Sequence, residues 1–244
     1  MSGVLDRGIC LRTWDWSETS QTCLILFRQV GLMRVIAKGS RREGGHFSGG
    51  IEGLTAAEAR LFPKRSGGLS TLASWDLEER FEGPRCSFQG FLNGCYMAEV
   101  VSRIMTELDP HPETFDALED SLREMDPGDT PVVRLQWAAL TECGHQPDLD
   151  GTPYRRAPSG EGVHRFLPQF GRMAAHTEPV TTETWQVREE TVLALRSLAS
   201  LNGLEAIRPI TLLRVRRFLD ASIRYALGSD IRSGELALRA RESA

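Results

Sequence analysis

The sequence predicts an α+β protein: a small closed barrel of five strands over residues 1–82, then an all-α region over 83–244 interrupted by a long irregular segment, about 144–180. Three observations predict it. Up to about residue 80, apolar and polar residues alternate in short runs separated by glycine-containing turns, the two-residue period of strands. From about residue 84 the apolar residues advance by three or four, the period of helices. Between Gly144 and Pro179 glycine and proline are dense and neither period holds.

The strands follow in order. Val4–Trp14 places Ile9, Leu11 and Thr13 on one face and Cys10, Arg12 and Trp14 on the other. Trp16 to Ser20 is a polar turn, and Gln21–Arg28 is a second strand rich in β-forming residues. From Gly31 a third strand sets Met33, Val35 and Ala37 against Arg34, Ile36 and Lys38, then breaks into a glycine-rich loop through Arg41 and Arg42. Ile51–Phe62 and Leu69–Leu77 complete the set, although Ala56, Ala57 and Ala59 suit a helical turn over Thr55–Arg60 equally well. Closing such a sheet removes its exposed edges.

Among the helices, Phe88, Leu92, Cys95, Ala98, Val101, Met105 and Leu108 make the buried stripe of the first, which Asp109 and Pro110 stop. Glu113–Met125 is a second, acidic helix; nine acids against Arg123 between Glu107 and Asp129 predict a solvated face. Val132–Cys143 and Thr182–Leu201 are the next two. Thr211–Leu227 buries Leu212, Val215, Leu219, Ile223 and Leu227, turns Arg214, Arg217 and Arg224 the other way, and stops at Gly228, after which the tail is expected to be mobile.

Composition narrows the function. With 41% hydrophobic and 25% charged residues, the chain is ordinary for a folded globular protein, and no apolar run approaches the roughly 20 residues of a membrane span. Neither a secretory signal nor a Cys-x-x-Cys pair is present among the five cysteines, so a reduced, cytoplasmic setting is expected. No phosphate loop, dinucleotide fingerprint, zinc-protease helix or nucleophile elbow occurs. Cys143 and His145 lie two apart, which by itself does not make a nucleophile and base, and His145, His164 and His176 match no common zinc spacing. What stands out is charge: Arg28, Arg34, Lys38, Arg41 and Arg42 fall within fifteen residues that hold no acid, in a chain of net charge -4. Such a cluster either neutralises phosphates or protects a sheet edge from pairing. Beside it lie Trp14, Trp16 and Phe47, suited to stacking on bases or to packing in the barrel.

The stretches Ile9-Cys10-Leu11-Arg12-Thr13, Ser17-Glu18-Thr19 and Gly31-Leu32-Met33-Arg34-Val35-Ile36-Ala37-Lys38-Gly39-Ser40-Arg41-Arg42 resemble the N-terminal barrel of the bacterial RecO recombination mediators. Arg134 to Leu140, followed by Gly144 and Pro147-Asp148-Leu149-Asp150, is similar to a second segment of that family. The resemblance implies a five-stranded OB-fold barrel and a helical domain, no enzymatic activity and no cofactor. It implies binding of single- and double-stranded DNA, annealing of complementary strands and assistance to RecA in replacing single-strand-binding protein. RecR and the acidic C-terminal tail of single-strand-binding protein are the expected partners, in the cytoplasm at the nucleoid. DNA-binding candidates are Arg34, Lys38, Arg41 and Arg42, with Arg12 and Trp14 beside them, and Arg134 is the candidate for the tail. Many relatives carry paired Cys-x-x-Cys motifs after the second segment; here Gly151-Thr152-Pro153-Tyr154 stands in that place, so no zinc is expected. Without it, the long segment is either held by packing of Phe166, Leu167, Phe170 and Met173 or loose. The alternative is a protein-interaction adaptor with little DNA affinity; a hydrolase using Cys143 has no feature in its favour.

Overall fold

The structure, a computed structural model, describes residues 3–43, 45–47, 49–64, 68–124, 129–156, 160–178, 183–199 and 207–242. Strands β1 (Val4–Asp15), β2 (Gln21–Phe27), β3 (Gly31–Ala37), β4 (Thr55–Phe62) and β5 (Ser70–Arg80) close in the order β1-β2-β3-β5-β4 and back to β1. All neighbours are antiparallel except β3 and β5, which run parallel from Val35 opposite Ser70 to Ala37 opposite Leu72. The helical alternative for Thr55–Arg60 is excluded, and packing gives the reason. Ala57 and Ala59 point into the barrel, and Ala59 lies directly across from Trp75, whose indole is 1% exposed. Small residues in β4 leave the volume that the large one fills, so interior fit overrides helix propensity.

Beyond the barrel come α1 (Gly83–Cys86), α2 (Phe88–Ile104) and α3 (Pro112–Arg123). Ser87 caps α2 by accepting the Gly90 amide at 2.9 Å. Its buried face runs through Gly94, Met97, Ala98 and Val101, whereas Phe88 and Leu108, expected inside, are exposed. By packing, the chain forms two compact units, Met1–Pro127 with Ile231–Ala244, and Gly128–Asp230. The expected boundary near residue 82 separates barrel from helices inside the first unit.

The second unit holds α4 (Thr130–Glu142), a four-stranded sheet, α5 (Glu189–Ala199) and α6 (Pro209–Leu227). The sheet corrects the reading of 144–180 as a loop: β7 (Gly162–Leu167) pairs with β6 (Arg155–Arg156), β8 (Arg172–Met173) and β9 (Trp185–Arg188). All six residues of β7 are buried, so it shows no alternation by which a strand is recognised. Phe166, Leu167 and Met173 are buried as expected, but Phe170 is 63% exposed. The predicted helix from Thr182 becomes β9 followed by α5; Thr182 and Leu201 lie outside the described residues. In α6 Leu212, Val215, Leu219 and Ile223 are buried as read, Leu227 is only half-buried, and Gly228 ends the helix at φ 63°. Arg216 is buried there too, its guanidinium 2.8 Å from the buried Asp129.

The tail is also ordered rather than mobile, forming α7 (Arg232–Glu242) against α2. Glu99 of α2 accepts the Ser233 amide at 3.0 Å and the Arg232 amide at 3.3 Å, so a carboxylate from another helix serves as the cap. Burial pushes this carboxyl up, but the Ser233 hydroxyl and amide, the Arg232 amide and the Arg103 charge outweigh it and leave it below its ordinary value. A lowered carboxyl stabilises fully above its unfolded value, about 4.3, and the contribution disappears as pH falls through the folded one. Hydrogen exchange is therefore expected to show α7 losing protection on acidification below about pH 4. Glu99→Ala should cost about 0.5–2 kcal/mol at neutral pH, as cap removal does, and abolish that acid dependence.

Candidate nucleic-acid interface

Which side chains face outward on the barrel is set by one irregularity in β1. Up to Cys10 the alternation puts Gly8 and Cys10 inside and Ile9 outside, opposite Leu26. The register then shifts: Cys10 lies opposite Ile25, and Arg12, not Leu11, lies opposite Leu24. Leu11 is the extra residue of a β-bulge, and the Cys10 carbonyl beside it accepts the Leu54 amide at 2.8 Å. The bulge inverts the parity. Arg12 and Trp14 therefore stand outside while Cys10 is inside, which corrects the expectation that all three share a face.

Rows of side chains now cross three strands. Arg12, Leu24 and Arg34 form one, and Trp14, Thr22 and Ile36 the next, with Lys38 beyond the end of β3. Arg12 and Arg34 are two strand spacings apart, roughly 10 Å. The Arg12 guanidinium lies 5.0 Å from the Trp14 ring centre, holding that indole flat against a cation.

The opposite end of the same outer face is covered. Ile9, Leu26 and Leu32 point outward yet are at most 1% exposed, and the Leu32 carbonyl accepts the Leu108 amide at 2.9 Å. Gly31 permits this approach: at φ 85° it would place a side-chain carbon 2.2 Å from the Asp109 carbonyl oxygen. The acidic stretch is thus not simply a solvated face. Asp116 binds Arg28 through two 2.8 Å hydrogen bonds, Glu119 binds Arg7 at 2.7 Å, Glu107 binds Arg34 at 3.0 Å, and Arg123 of the same helix reaches back to Glu79 of β5 at 2.7 Å. Bonding to Arg28 holds the Asp116 carboxyl below its ordinary value.

These pairs sort the five clustered cations. Arg28 and Arg34 are engaged by the acidic stretch, and Arg41 by Asp15. Lys38 and Arg42 have no carboxylate partner among the described residues, nor does Arg12. Arg34 and Glu107 are both more than half exposed, and such a pair contributes only about 0–1 kcal/mol, so a phosphate can displace the acid. Lys38 and Arg42 line, with Trp16, Ser17, Ser20, Ile36 and Gly39, a groove of about 350 Å³.

Buried polar contacts hold the loop at that groove. Gln21 donates to the Ile51 carbonyl at 3.0 Å and accepts from the Ile51 amide at 3.0 Å and the Ser40 hydroxyl at 2.9 Å. The Arg41 amide donates to the Thr19 carbonyl at 3.1 Å, and the Gly39 amide to the Ser20 hydroxyl at 3.1 Å. Trp16, 62% exposed, sits on a turn closed by its own amide on the Ser20 carbonyl at 3.0 Å. Phe47 takes the other role weighed for it and packs in the barrel core. Arg134 belongs to the second unit, half-buried on α4.

The profile described as Recombination protein O N terminal matches residues 1–81, and that described as Recombination protein O C terminal matches residues 89–235. The chain belongs to the RecO family. Its relatives include the DNA repair protein RecO of Anaeromyxobacter sp. strain K, 27% identical over 93% of each chain, and that of Myxococcus xanthus, 25% identical over 93% of this chain and 94% of the relative. The RecO of Rhodopirellula baltica is 33% identical over 57% of this chain, a match spanning about half, 53%, of that relative. Membership places the protein in DNA repair and recombination, and the barrel is the OB-fold of the RecO N-terminal domain. Among the described residues no helix is long and apolar enough to cross a membrane, and no group of three or more His, Cys, Asp or Glu could hold a metal ion.

Because Leu11 is the extra residue, its deletion should leave a regular ladder in which Arg12 still lies opposite Leu24 and Trp14 opposite Thr22, so that cooperative thermal unfolding and the outward row are both kept. Leu11→Ala, which keeps the residue count, should cost about 2–5 kcal/mol and retain a single transition.

Proposed function

We propose that this protein is a non-enzymatic mediator of DNA repair and recombination that holds DNA on the uncovered half of its barrel. The observation that carries the reading is the groove shared by Trp16, Lys38 and Arg42 beside the outward-facing Arg12 and Trp14. In OB-folds the face of the second and third strands and the loop between the first and second are where oligonucleotides lie, and both are represented here. Cations without carboxylate partners contact phosphates without regard to sequence, and an exposed indole stacks on any base. Such a surface leaves base edges unread and available for pairing, which is what annealing of complementary strands requires.

On this reading the protein binds single- and double-stranded DNA, anneals complementary strands and assists RecA loading on single strands coated by single-strand-binding protein. RecR and the acidic C-terminal tail of single-strand-binding protein are its partners, with Arg134 the candidate contact for the tail. Arg12, Lys38, Arg42 and Trp14 contact DNA first; Arg34 and Arg41 join when phosphate displaces Glu107 and Asp15.

Two effects separate charge from stacking in an oligonucleotide titration at several salt concentrations. Lys38→Ala/Arg42→Ala should reduce the slope of log affinity against log salt by about 1.4, at 0.7 for each phosphate on a single strand. Arg41→Ala should change it less, and equal slopes for all variants would reject the assignment. Trp16→Ala should weaken binding by about 1–3 kcal/mol with the slope unaltered. An unchanged affinity would remove Trp16 from the site.

A further inference from the structure

The second unit carries another cationic face. Registers in its sheet put Arg155 opposite Val163 and Val163 opposite Arg188, with Arg165 and Gln186 in the adjacent row of the same side. Arg155 and Arg165 converge on Tyr154, their guanidinium carbons 5.5 and 5.0 Å from its ring centre. Arg155 is further fixed by donating to the Tyr154 hydroxyl and the Gln186 amide oxygen, each at 2.7 Å. Among the described residues its hydrogen-bond partners are uncharged.

Arg165 is the telling residue. It is only 5% exposed, donates to the Ala175 carbonyl at 3.0 Å and more weakly to that of His176 at 3.5 Å, and among the described residues its Nε has no hydrogen-bond partner. Its field reaches Glu178, but that carboxylate is engaged by Arg172 through two 3.0 Å bonds. A buried guanidinium without a carboxylate partner is costly unless an anion completes its surroundings. Arg188 pairs with Glu161 at 3.3 Å, an exposed contact that an incoming phosphate can replace.

We infer that the face formed by Tyr154, Arg155, Arg165, Gln186 and Arg188 is a second phosphate-backbone site, which takes a second nucleic-acid strand. An acidic peptide is the other polyanion to consider, but anchoring a peptide needs an apolar pocket, and the one aliphatic residue in these rows, Val163, is itself buried. Guanidinium planes held against an aromatic ring suit a phosphodiester backbone. The inference rests on the barrel reading above and extends it: one chain would hold two strands, each by its backbone.

The test is a stoichiometric titration of the full chain with a short single-stranded oligonucleotide, together with the annealing rate of two complementary ones. The wild type should bind a second, weaker equivalent. Arg155→Ala/Arg188→Ala, both exposed positions, should reduce the salt slope of that second step by about 1.4, slow annealing and spare the first step. Arg155→Lys/Arg188→Lys should restore the slope, showing that charge rather than folding is at issue. If the alanine variant keeps both steps while Lys38→Ala/Arg42→Ala loses the first, the second site is overturned and the barrel reading stands. Loss of the first step in neither variant would overturn the barrel reading instead. Unchanged oligonucleotide binding with lost affinity for a polyaspartate peptide would reassign this face to an acidic protein partner.

Discussion

A strand has two sides, and a single inserted residue exchanges them for everything that follows. In β1 that residue is Leu11. Upstream of it, the outward Ile9 is buried beneath the helical layer and the outward Arg7 is held by Glu119; downstream, the outward positions are Arg12 and Trp14, both exposed. An uninterrupted strand would bury an arginine in a barrel core built from Ile25, Met33 and Val35, at a cost no partner there could offset. The bulge therefore creates the surface and protects the core at once, and its exposed side chains reach the same rows as those of β3 only because the register of β2 transmits the shift.

Charge is then divided along that face. Acids of the 107–119 segment meet Arg7, Arg28 and Arg34 at the covered end, where they align the helices with the barrel. At the open end Lys38 and Arg42 stand beside Trp16 with no carboxylate partner among the described residues. A protein of net charge -4 can thus attract a polyanion, because the acids sit where they neutralise one half of the barrel and leave the other positive. The second unit repeats the logic in another material: a small sheet rather than a barrel, with an aromatic ring organising guanidinium groups.

Much of this was legible in the sequence, and the failures have physical causes. Period-two alternation located β3, β-forming residues located β2, turn residues bounded β5, and the period of α6 placed Leu212, Val215, Leu219 and Ile223 correctly inside. The cation cluster and its neighbouring tryptophans were visible as residue types. What periodicity cannot register is an inserted residue, so Arg12 and Trp14 were assigned to the side of Cys10. Nor can it find a strand buried on both faces, such as Gly162–Leu167, or two-residue strands such as β6 and β8. Pairing partners distant in the chain were equally invisible: Asp116 lies 88 residues from Arg28, and Asp129 lies 87 from Arg216. The acidic stretch looked like a solvated face because its counter-charges belong to the barrel.

The most direct test of the account is where a nucleic acid touches the chain. Photo-crosslinking of an oligonucleotide carrying halogenated uracil, followed by mass spectrometry, reports the side chains within contact of its bases. Adducts are expected at Trp16 and Trp14. Adducts confined to the helix-covered end of the barrel, or absent from residues 1–82 altogether, would contradict it.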